Sequence, residues 1–455
     1  MGRFGPELCC HMKQKPLKGT VSVPGDKSIS HRALIFSTLL EGICEVKNCS
    51  QAVDCESTAE CLSALGVRID RERERGAVTK NVTVHGQGLA SLKRPSTTLF
   101  AGNSGTTIRL LSGLLAGQPF DSVLDGDKSI RKRPMQRVTK PLAEMGASIE
   151  FLSTGNGHDS GEKLPVTGYA PYSIRGGNLT GRSFDLAVAS AQVETAILLA
   201  GLQADGATTV NLPAPVRDHT RRMFQYLSVP LVHADERTLS VKRLTTPPKA
   251  KRIDVPADMS SAAFFMVAAC LVEGSDLLLK DVGMNPGRLL ALEVLKSMGA
   301  AISIENPRSF GLEPVADIRV KHEGRLKGAS IGGAEIARGI DEIPILALAG
   351  ALCQGEFTVS GAEELRHKES DRLEMITDNL KAAGADLEAR QDGFVIRGQA
   401  SLAGGSQWKT HEDHRLAMTG LIANLICQEK LDIEETDSIK ISYPTFAMDL
   451  AYLTD

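Results

Sequence analysis

The chain alternates between long apolar runs and short polar turns, and one such pattern recurs six times. In each copy a polar or acidic residue precedes an apolar run of helical length, and a turn follows. Aspartate, asparagine and serine are favoured N-cap residues, so the first residue of each copy predicts a helix start. Because the runs are apolar almost all round, we expect these helices to be buried. The copies are Asp26–Gly42, Asn103–Gly117, Ser190–Gly206, Asp258–Gly274, Asp341–Gly355 and Asp413–Gln428.

A second phrase follows five of the copies. A shorter helical pattern ends at Gly66, Gly146, Gly299 or Gly384, with Ser228 in a degenerate copy, and a strand-like segment begins there. Glycine in this position is typical of a helix C-terminus in the left-handed conformation. The recurrence predicts six α/β units of about 76 residues (455/6), which are too long for solenoid repeats. The alternative is a coincidence between unrelated amphipathic segments.

The linker signals predict two groups of three units. The basic, proline-containing segment Arg243–Arg252 predicts a domain junction near 243–253, and Ser153–Gly161 is a second linker signal. A strand around Gly19–Val23 fits either group. We expect Met1–Met12 to be disordered.

Composition excludes several classes of function. Lys and Arg number 52 against 55 Asp and Glu, and this near balance argues against binding to nucleic acid or to a membrane surface. The longest apolar stretch, Ala262–Val272, has 11 residues, whereas a bilayer needs roughly 20. Nine cysteines without metal-type spacing favour free thiols in a reducing cytoplasm. No motif indicates a metal site.

Basic residues lie near most of the predicted helix starts. Helix N-termini carry partial positive charge and free N–H groups, so their convergence predicts a site for strongly anionic ligands. Asp341 and Glu369 would then supply acid–base chemistry. The charge run Glu363–Leu373 predicts a helix with Lys368 and Arg372 one turn apart, although each motif alone also fits a cap or a solvated face. The pooled basic candidates are Lys27, Arg32, Arg109, Arg133, Arg217, Lys368, Arg372 and Arg415.

Seven motifs together resemble the 5-enolpyruvylshikimate-3-phosphate (EPSP) synthases, from about Lys18 to Met448. This resemblance implies an α/β fold, the two-lobed inside-out α/β barrel of enolpyruvyl transferases, with six similar units, buried helices and outer sheets. It implies one lobe at 24–252 and another formed by 1–23 and 253–455, with the active site in a cleft between them that closes on substrate. The motifs are Pro24–Arg32, Gly102–Arg109, Gly126–Met135, Ser190–Val193, Arg217–Thr220, Leu365–Leu373 and Glu412–Met418.

The resemblance also implies a reaction. The enolpyruvyl group of phosphoenolpyruvate passes to the 5-hydroxyl of shikimate 3-phosphate and phosphate is released, by addition and elimination through a tetrahedral intermediate, in the biosynthesis of chorismate and aromatic amino acids. It implies no cofactor and no metal, small-molecule partners only, a monomer and a cytoplasmic location.

The family pattern assigns roles to individual residues. Asp341 resembles the base for the hydroxyl, and Glu369 and Lys27 resemble proton carriers. The residues implied for shikimate 3-phosphate are Lys27, Ser28, Arg32, Ser190, Ala191, Arg217, Asp341 and Lys368. Those implied for phosphoenolpyruvate are Lys27, Gly105, Arg133, Gln192, Arg372 and Arg415.

Three positions depart from the family pattern. Ser442 stands where many members carry lysine, Glu194 where some carry lysine, and Leu110 where others carry proline. Gly105 is the form expected of enzymes sensitive to glyphosate, so we expect inhibition competitive with phosphoenolpyruvate.

Two alternatives remain open. The related UDP-N-acetylglucosamine enolpyruvyl transferases would need a cysteine within Asp125–Pro134, and none is present. A non-catalytic repeat protein that binds phosphorylated ligands is the second alternative, against which the pair Asp341 and Glu369 argues.

Overall fold

The computed structural model describes residues 15–71, 80–152 and 168–455. The chain divides into two compact units, which we call the first and the second unit. The first unit consists of Gly25–Val255 and Phe310–Glu313. The second consists of Met1–Pro24, Pro256–Ser309 and Pro314–Asp455, and its first described strand is β1 (Lys18–Val21).

These boundaries lie close to the predicted ones at 23/24 and 252/253, but the sequence did not predict that 310–313 would join the first unit. The arrangement of two lobes about a cleft stays a prediction. Two predictions concern segments outside the described residues: the disorder of Met1–Met12 and the linker Ser153–Gly161.

The first unit repeats one arrangement three times: strand, helix, strand, helix and two further strands. In each sheet the first strand is parallel to the second, and the fourth pairs antiparallel with both the second and the third. The first repeat contains α1 (Lys27–Ser37), β2 (Glu41–Cys49), α2 (Val53–Ala64), β3 (Arg68–Arg71) and β4 (Lys80–Gln87). The second contains β5 (Leu99–Phe100), α3 (Gly105–Leu115), β6 (Asp121–Asp125), α4 (Gln136–Met145), β7 (Ser148–Phe151) and β8 (Tyr172–Arg175). The third contains β9 (Ser183–Asp185), α5 (Ala191–Gly201), β10 (Ala207–Asn211), α6 (His219–Tyr226), β11 (Leu231–Ala234) and β12 (Thr238–Lys242), and β13 (Ile253–Asp254) completes the first sheet.

The second unit keeps the same strand order in its first two repeats. Its first sheet includes β1, which pairs in parallel with the strand that begins at Asp276. In this pairing Lys18 lies opposite Asp276. This repeat contains α7 (Met259–Leu271), β14 (Asp276–Gly283), α8 (Leu290–Ser297), β15 (Ala301–Phe310) and β16 (Glu313–Lys321). The next contains β17 (Lys327–Ile331), α9 (Ile336–Gly339), α10 (Ile343–Ala351), β18 (Gln354–Val359), α11 (Arg372–Ala382), β19 (Asp386–Ala389) and β20 (Phe394–Arg397). The last has a two-stranded sheet in the described chain, with β21 (Gln407–Trp408), α12 (His414–Ile426), β22 (Asp432–Ile433) and α13 (Phe446–Thr454).

Four of the six predicted helix starts are confirmed by their caps. The side chains of Asp26, Ser190, Asp258 and Asp413 each accept a hydrogen bond from a backbone N–H of the helix they precede. These bonds satisfy donors that a helix start otherwise leaves unpaired.

The other two predicted starts are each wrong by one residue. Ser104, not Asn103, caps α3, because its Oγ accepts from the Thr107 N–H at 3.1 Å. Asp341 lies inside a short 3₁₀ turn before α10, where Glu342 occupies the cap position. Its carboxylate instead accepts from Nη1 of Arg372 at 3.1 Å, and such a charge-assisted bond is stronger than a cap bond to a neutral N–H.

The predicted helix ends are confirmed. Gly66, Gly146, Gly299 and Gly384 follow their helices with φ between +88° and +118°. Ser228 closes the degenerate copy at φ +60°, which a side chain tolerates less well than glycine.

The recurring helices form the core, and the sheets cover them. Every residue of α10 and α12 except the last of α12 is buried, whereas short strands such as β3 and β7 expose alternate residues. Small residues allow close helix contacts: a Cβ at Gly113 of α3 would lie 2.0 Å from the Ala196 carbonyl oxygen of α5. The cysteines within the described chain are buried. None of the described helices has the length and apolar character needed to span a membrane.

Candidate active site

In the first unit, the N-termini of α1, α3 and α5 lie side by side. Nη2 of Arg32, one turn into α1, donates to the carbonyl of Ala191 at the start of α5, at 3.3 Å. Nε2 of Gln192 donates to Oγ1 of Thr106 at the start of α3, at 2.9 Å. The residues predicted from three separate motifs therefore meet at three helix N-termini, which favour anions.

Two arginines converge on Gly105, where the absent side chain leaves room. A Cβ at Gly105 would lie 2.9 Å from Nη1 of Arg109 and 3.4 Å from Nη1 of Arg133. Nη1 of Arg109 also donates to Oε1 of Gln192 at 2.7 Å, and Nη2 of Arg133 donates to Oγ of Ser129 at 3.1 Å. This geometry orients two guanidinium groups beside a helix N-terminus, an arrangement suited to a phosphate or carboxylate.

Lys27 opens α1, beside the start of α3. Its Nζ donates to a carboxylate oxygen of Asp54 at 2.8 Å, and the lysine side chain is 26% exposed. The backbone carbonyl of Asp54 accepts from Oγ1 of Thr107 in α3 at 3.2 Å. Ser28 follows Lys27 in the first turn and is half-buried. The ion pair thus holds the ammonium group near the glycine and arginines described above.

Arg32 is almost completely buried and joins three helices. Its Nε donates to Thr220 in α6 at 2.8 Å, Nη2 to Thr195 in α5 at 3.0 Å, and Nη1 to the carbonyl of Ser28 at 3.0 Å. Burial lowers the pKa of Arg32 to about 10, and the positive charge of Arg217 acts in the same direction. The two predicted phosphate ligands Arg32 and Arg217 therefore lie within electrostatic range of each other.

In the second unit, Arg372 binds three carboxylates at once. Its Nε lies 2.7 Å from Asp413, Nη2 lies 2.6 Å from Glu369 and Nη1 lies 3.1 Å from Asp341. Burial lowers the pKa of Arg372, but the three carboxylates outweigh burial and raise it well above its usual value. The guanidinium is permanently charged and holds the carboxylates of Asp341 and Glu369 beside it.

A second arginine reaches the same aspartate. Nη1 of Arg415 donates to the carbonyl of Asp341 at 3.1 Å, and its Nε lies 4.0 Å from the carboxylate. The Asp341 and Glu369 side chains remain 23% and 26% exposed, so a ligand can reach them. Lys368 is half-buried, and among the described residues its Nζ has no hydrogen-bond or ion-pair partner.

The predicted continuous helix over Glu363–Leu373 is wrong. A 3₁₀ helix ends at His367, Lys368 is extended with ψ −149°, and α11 begins only at Arg372. Asp371 caps α11 by accepting from the Glu374 N–H at 2.9 Å, and aspartate three residues before glutamate is a capping-box pattern that breaks a helix at this point. Lys368 and Arg372 therefore lie on different elements.

Comparisons with known proteins give the family of this chain. The family model of EPSP synthase (3-phosphoshikimate 1-carboxyvinyltransferase) matches residues 11–450. The chain belongs to the EPSP synthase family. It is 45% identical over 442 residues to a 3-phosphoshikimate 1-carboxyvinyltransferase of Bacillus pumilus, covering 97% of this chain and 98% of the relative.

Two solved structures confirm the fold of this EPSP synthase family member. An EPSP synthase from Acinetobacter baumannii has a TM-score of 0.84 at 41% identity and covers 96% of both chains. The enolpyruvyl transferase NikO from Streptomyces tendae has a TM-score of 0.76 at 17% identity, covering 97% of this chain and 96% of its own, and supports the fold alone. The chain therefore has the enolpyruvyl transferase fold that the motifs imply.

Sequence reasoning missed the contacts of two carboxylates near the candidate site residues, those of Asp54 and Asp413. Asp54 was not predicted, because it lies at the start of α2 among ordinary helix residues; only its position in a first turn marked it. Asp413 was predicted as a cap and is also the buried partner of Arg372, whose charge outweighs burial and keeps the pKa of Asp413 below its usual value. Arg109 was pooled with the basic residues but assigned no ligand.

The departures from the EPSP synthase pattern have defined environments. Leu110 is fully buried in α3. Oγ of Ser442 is buried and has no partner among the described residues. Glu194 is buried, and burial raises its pKa to about 7. Within the described chain, no group of three or more His, Cys, Asp or Glu is placed to hold a metal ion.

Proposed function

We propose that this chain transfers the enolpyruvyl group of phosphoenolpyruvate to the 5-hydroxyl of shikimate 3-phosphate and releases phosphate. The observation that carries the proposal is the position of Asp341 and Glu369 on one buried guanidinium, that of Arg372. Two oriented, accessible carboxylates suit a reaction in which one proton is taken up and another is released.

The charged side chains of the candidate site differ between the two units, and this difference supports the proposal. The first unit gathers five basic side chains, one of which is paired with Asp54, whereas in the second unit Arg372 and Arg415 contact three carboxylates. Two anionic substrates repel each other, so their binding requires the positive excess of the first unit. The proposed ligands of shikimate 3-phosphate are Lys27, Ser28, Arg32, Ser190, Ala191, Arg217, Asp341 and Lys368. The proposed ligands of phosphoenolpyruvate are Lys27, Gly105, Arg133, Gln192, Arg372 and Arg415.

The proposed chemistry is an addition followed by an elimination. In the addition, C3 of phosphoenolpyruvate accepts a proton, the 5-hydroxyl oxygen bonds to C2, and the hydroxyl proton passes to Asp341. In the elimination, the bond from C2 to the phosphate oxygen breaks and the methyl group loses a proton, which restores the double bond. Glu369 and Lys27 carry protons to and from C3, and Arg372 and Arg415 stabilise the negative charge that gathers on phosphate and carboxylate.

A coupled assay of phosphate release tests the proposal. We expect release only when shikimate 3-phosphate and phosphoenolpyruvate are both present. Release with UDP-N-acetylglucosamine as the acceptor would instead indicate the related transferase. Binding of both ligands by calorimetry without any turnover would leave only a non-catalytic binding protein.

The variant Glu369→Gln tests whether Glu369 carries a proton or only binds substrate. We expect this variant to lower kcat far more than it weakens binding of either substrate, because the amide cannot carry the proton. Glu363→Gln, at an exposed position on the preceding 3₁₀ helix, is the matched control and should have wild-type kinetics. A near-normal kcat for Glu369→Gln would remove this residue from the mechanism.

A further inference from the structure

The turn between β15 and β16 packs against α6 of the first unit. Phe310–Glu313, which are the ends of the two strands and the two residues between them, belong to the first unit, although the rest of both strands belongs to the second. Three side chains of α6 contact three consecutive residues of the turn. These side chains belong to His219, Arg222 and Tyr226, whose spacing of three and then four residues places them on one face of the helix.

The innermost of these contacts is a buried hydrogen bond. Nδ1 of His219 donates to Oε1 of Glu313 at 2.8 Å, and the two residues are only 1% and 6% exposed. An ionised carboxylate can only accept, so the proton of this bond belongs to the imidazole. Loss of a buried bond of this type lowers stability strongly, because the remaining group would be buried with neither a protein partner nor water for this hydrogen bond.

Two outer contacts fix the path of the turn along α6. Nη1 of Arg222 donates to the carbonyl of Leu312 at 2.9 Å. Gly311 has φ +57°, and a Cβ added to it would lie 3.0 Å from the ring of Tyr226. The turn therefore lies flat on the helix, and Glu313 is directed at the first turn of α6.

That first turn also carries part of the proposed substrate site. Arg217 lies two residues before His219, and Thr220 directly follows it. Oγ1 of Thr220 accepts from Nε of Arg32 at 2.8 Å and shares a 2.6 Å hydrogen bond with Thr195. A shift of the first turn of α6 would therefore move both arginines that are proposed to bind shikimate 3-phosphate.

We propose that Glu313 is a positioning residue, which holds the start of α6 through His219 and so orients Arg217 and Arg32 for the phosphate of shikimate 3-phosphate. The inference rests on the proposed function. Because coupling between binding and ordering is reciprocal, shikimate 3-phosphate must also stabilise the turn against local opening by the same factor.

Steady-state kinetics of two variants test this role. Glu313→Leu removes the acceptor of the buried hydrogen bond, whereas Glu313→Gln keeps an oxygen in the same place. We expect Glu313→Leu to raise the KM for shikimate 3-phosphate by about tenfold, with the KM for phosphoenolpyruvate unchanged, and Glu313→Gln to stay within about twofold of wild type. The matched control is Glu323→Leu, at an exposed glutamate just after β16, which should change neither KM. Equal rises in both KM values, or no rise in either, would overturn the inference.

A measurement on the unaltered protein covers the case in which Glu313→Leu fails to fold. Amide hydrogen exchange of residues 311–313 should slow by about tenfold when shikimate 3-phosphate saturates the wild-type enzyme. Unchanged exchange in an enzyme that turns over shikimate 3-phosphate would overturn the positioning role while leaving the proposed function intact. An enzyme that does not use shikimate 3-phosphate at all would overturn both.

Discussion

Replacing Glu194 with glutamine should stabilise the first unit at pH 8 and leave its stability almost unchanged at pH 5. Glu194 lies in the first turn of α5 and is 6% exposed. Burial raises the pKa of its carboxyl from 4.5 to about 7, while the charges of Arg32 and Arg221 act in the opposite direction and only partly compensate. The folded protein therefore keeps this carboxyl protonated at pH values where the unfolded chain has lost the proton.

The sign of the pH dependence follows from proton counting. Between pH 4.5 and about 7 the unfolded state binds fewer protons at this site than the folded state, so the free energy of unfolding falls as the pH rises. A rise in the pKa from 4.5 to about 7 corresponds to about 3 kcal/mol, which is fully expressed above pH 7 and is below about 1 kcal/mol at pH 5. Glutamine has no proton to lose, so Glu194→Gln escapes this penalty.

Calorimetric unfolding of the wild type and of Glu194→Gln at pH 5, 6, 7 and 8 measures the effect. The difference in transition temperature should be small at pH 5 and grow to several degrees at pH 8, since roughly 2–4 °C accompany each kcal/mol in a unit of this size. Glu144→Gln, on the exposed side of α4, is the control and should show no such trend. A difference that is constant from pH 5 to pH 8 would refute the assignment of a raised pKa to Glu194.

Three further substitutions probe the packing and the site. Gly113→Ala should destabilise the protein by about 3 kcal/mol in thermal unfolding, because the new methyl group would meet the backbone carbonyl of Ala196, which cannot move aside as a side chain could. Gly105→Ala should raise the KM for phosphoenolpyruvate about tenfold and weaken inhibition by glyphosate, because its methyl group displaces the two neighbouring guanidinium groups. Arg372→Lys should lower kcat by at least about tenfold and the free energy of unfolding by about 3 kcal/mol, because one ammonium group cannot bind three carboxylates.

Two of these substitutions have a matched control, and the third has a second readout. Gly177→Ala adds a methyl group where no atom lies within 4 Å, and it should unfold at the wild-type temperature. Arg390→Lys changes an exposed arginine of the same unit as Arg372 and should leave kcat unaltered. Gly105→Ala should also keep the wild-type unfolding temperature, since the atoms that it meets are ends of flexible side chains. A Gly113→Ala protein as stable as wild type would contradict the close contact between α3 and α5.

The features that sequence reasoning predicted well depend on local chemistry. A cap such as Asp26 and a terminating glycine such as Gly66 act within one helical turn, so their patterns are visible in a few residues. The errors arose where a distant partner competes for the same side chain. Asp341 has the chemistry of a cap, but the buried guanidinium of Arg372 takes its carboxylate. Asn103 and Ser104 are both good caps, and only packing selects the serine.

Sequence patterns did not predict which distant residues pair with each other. The two-residue strand β13 has too little pattern to reveal that Ile253 pairs with Val46. The grouping of Phe310–Glu313 with the first unit depends on contacts with α6 that join residues about 90 positions apart. The partner of Lys27 was missed for the same reason, because the Asp54 carboxylate is one of many on helix surfaces until the fold selects it.

The pairing of β1 with β14 imposes an order on the synthesis of the chain. Lys18 lies opposite Asp276, so the ribosome must add a further 258 residues before this strand has its partner. At translation rates of about 5–20 residues per second, that delay is roughly 13–52 s. Gly25–Val255 emerge within this interval and contain nearly all of the first unit, whereas the second unit has an N-terminal strand without a neighbour. During that time β1 presents unpaired backbone groups, which can pair with strands of other chains.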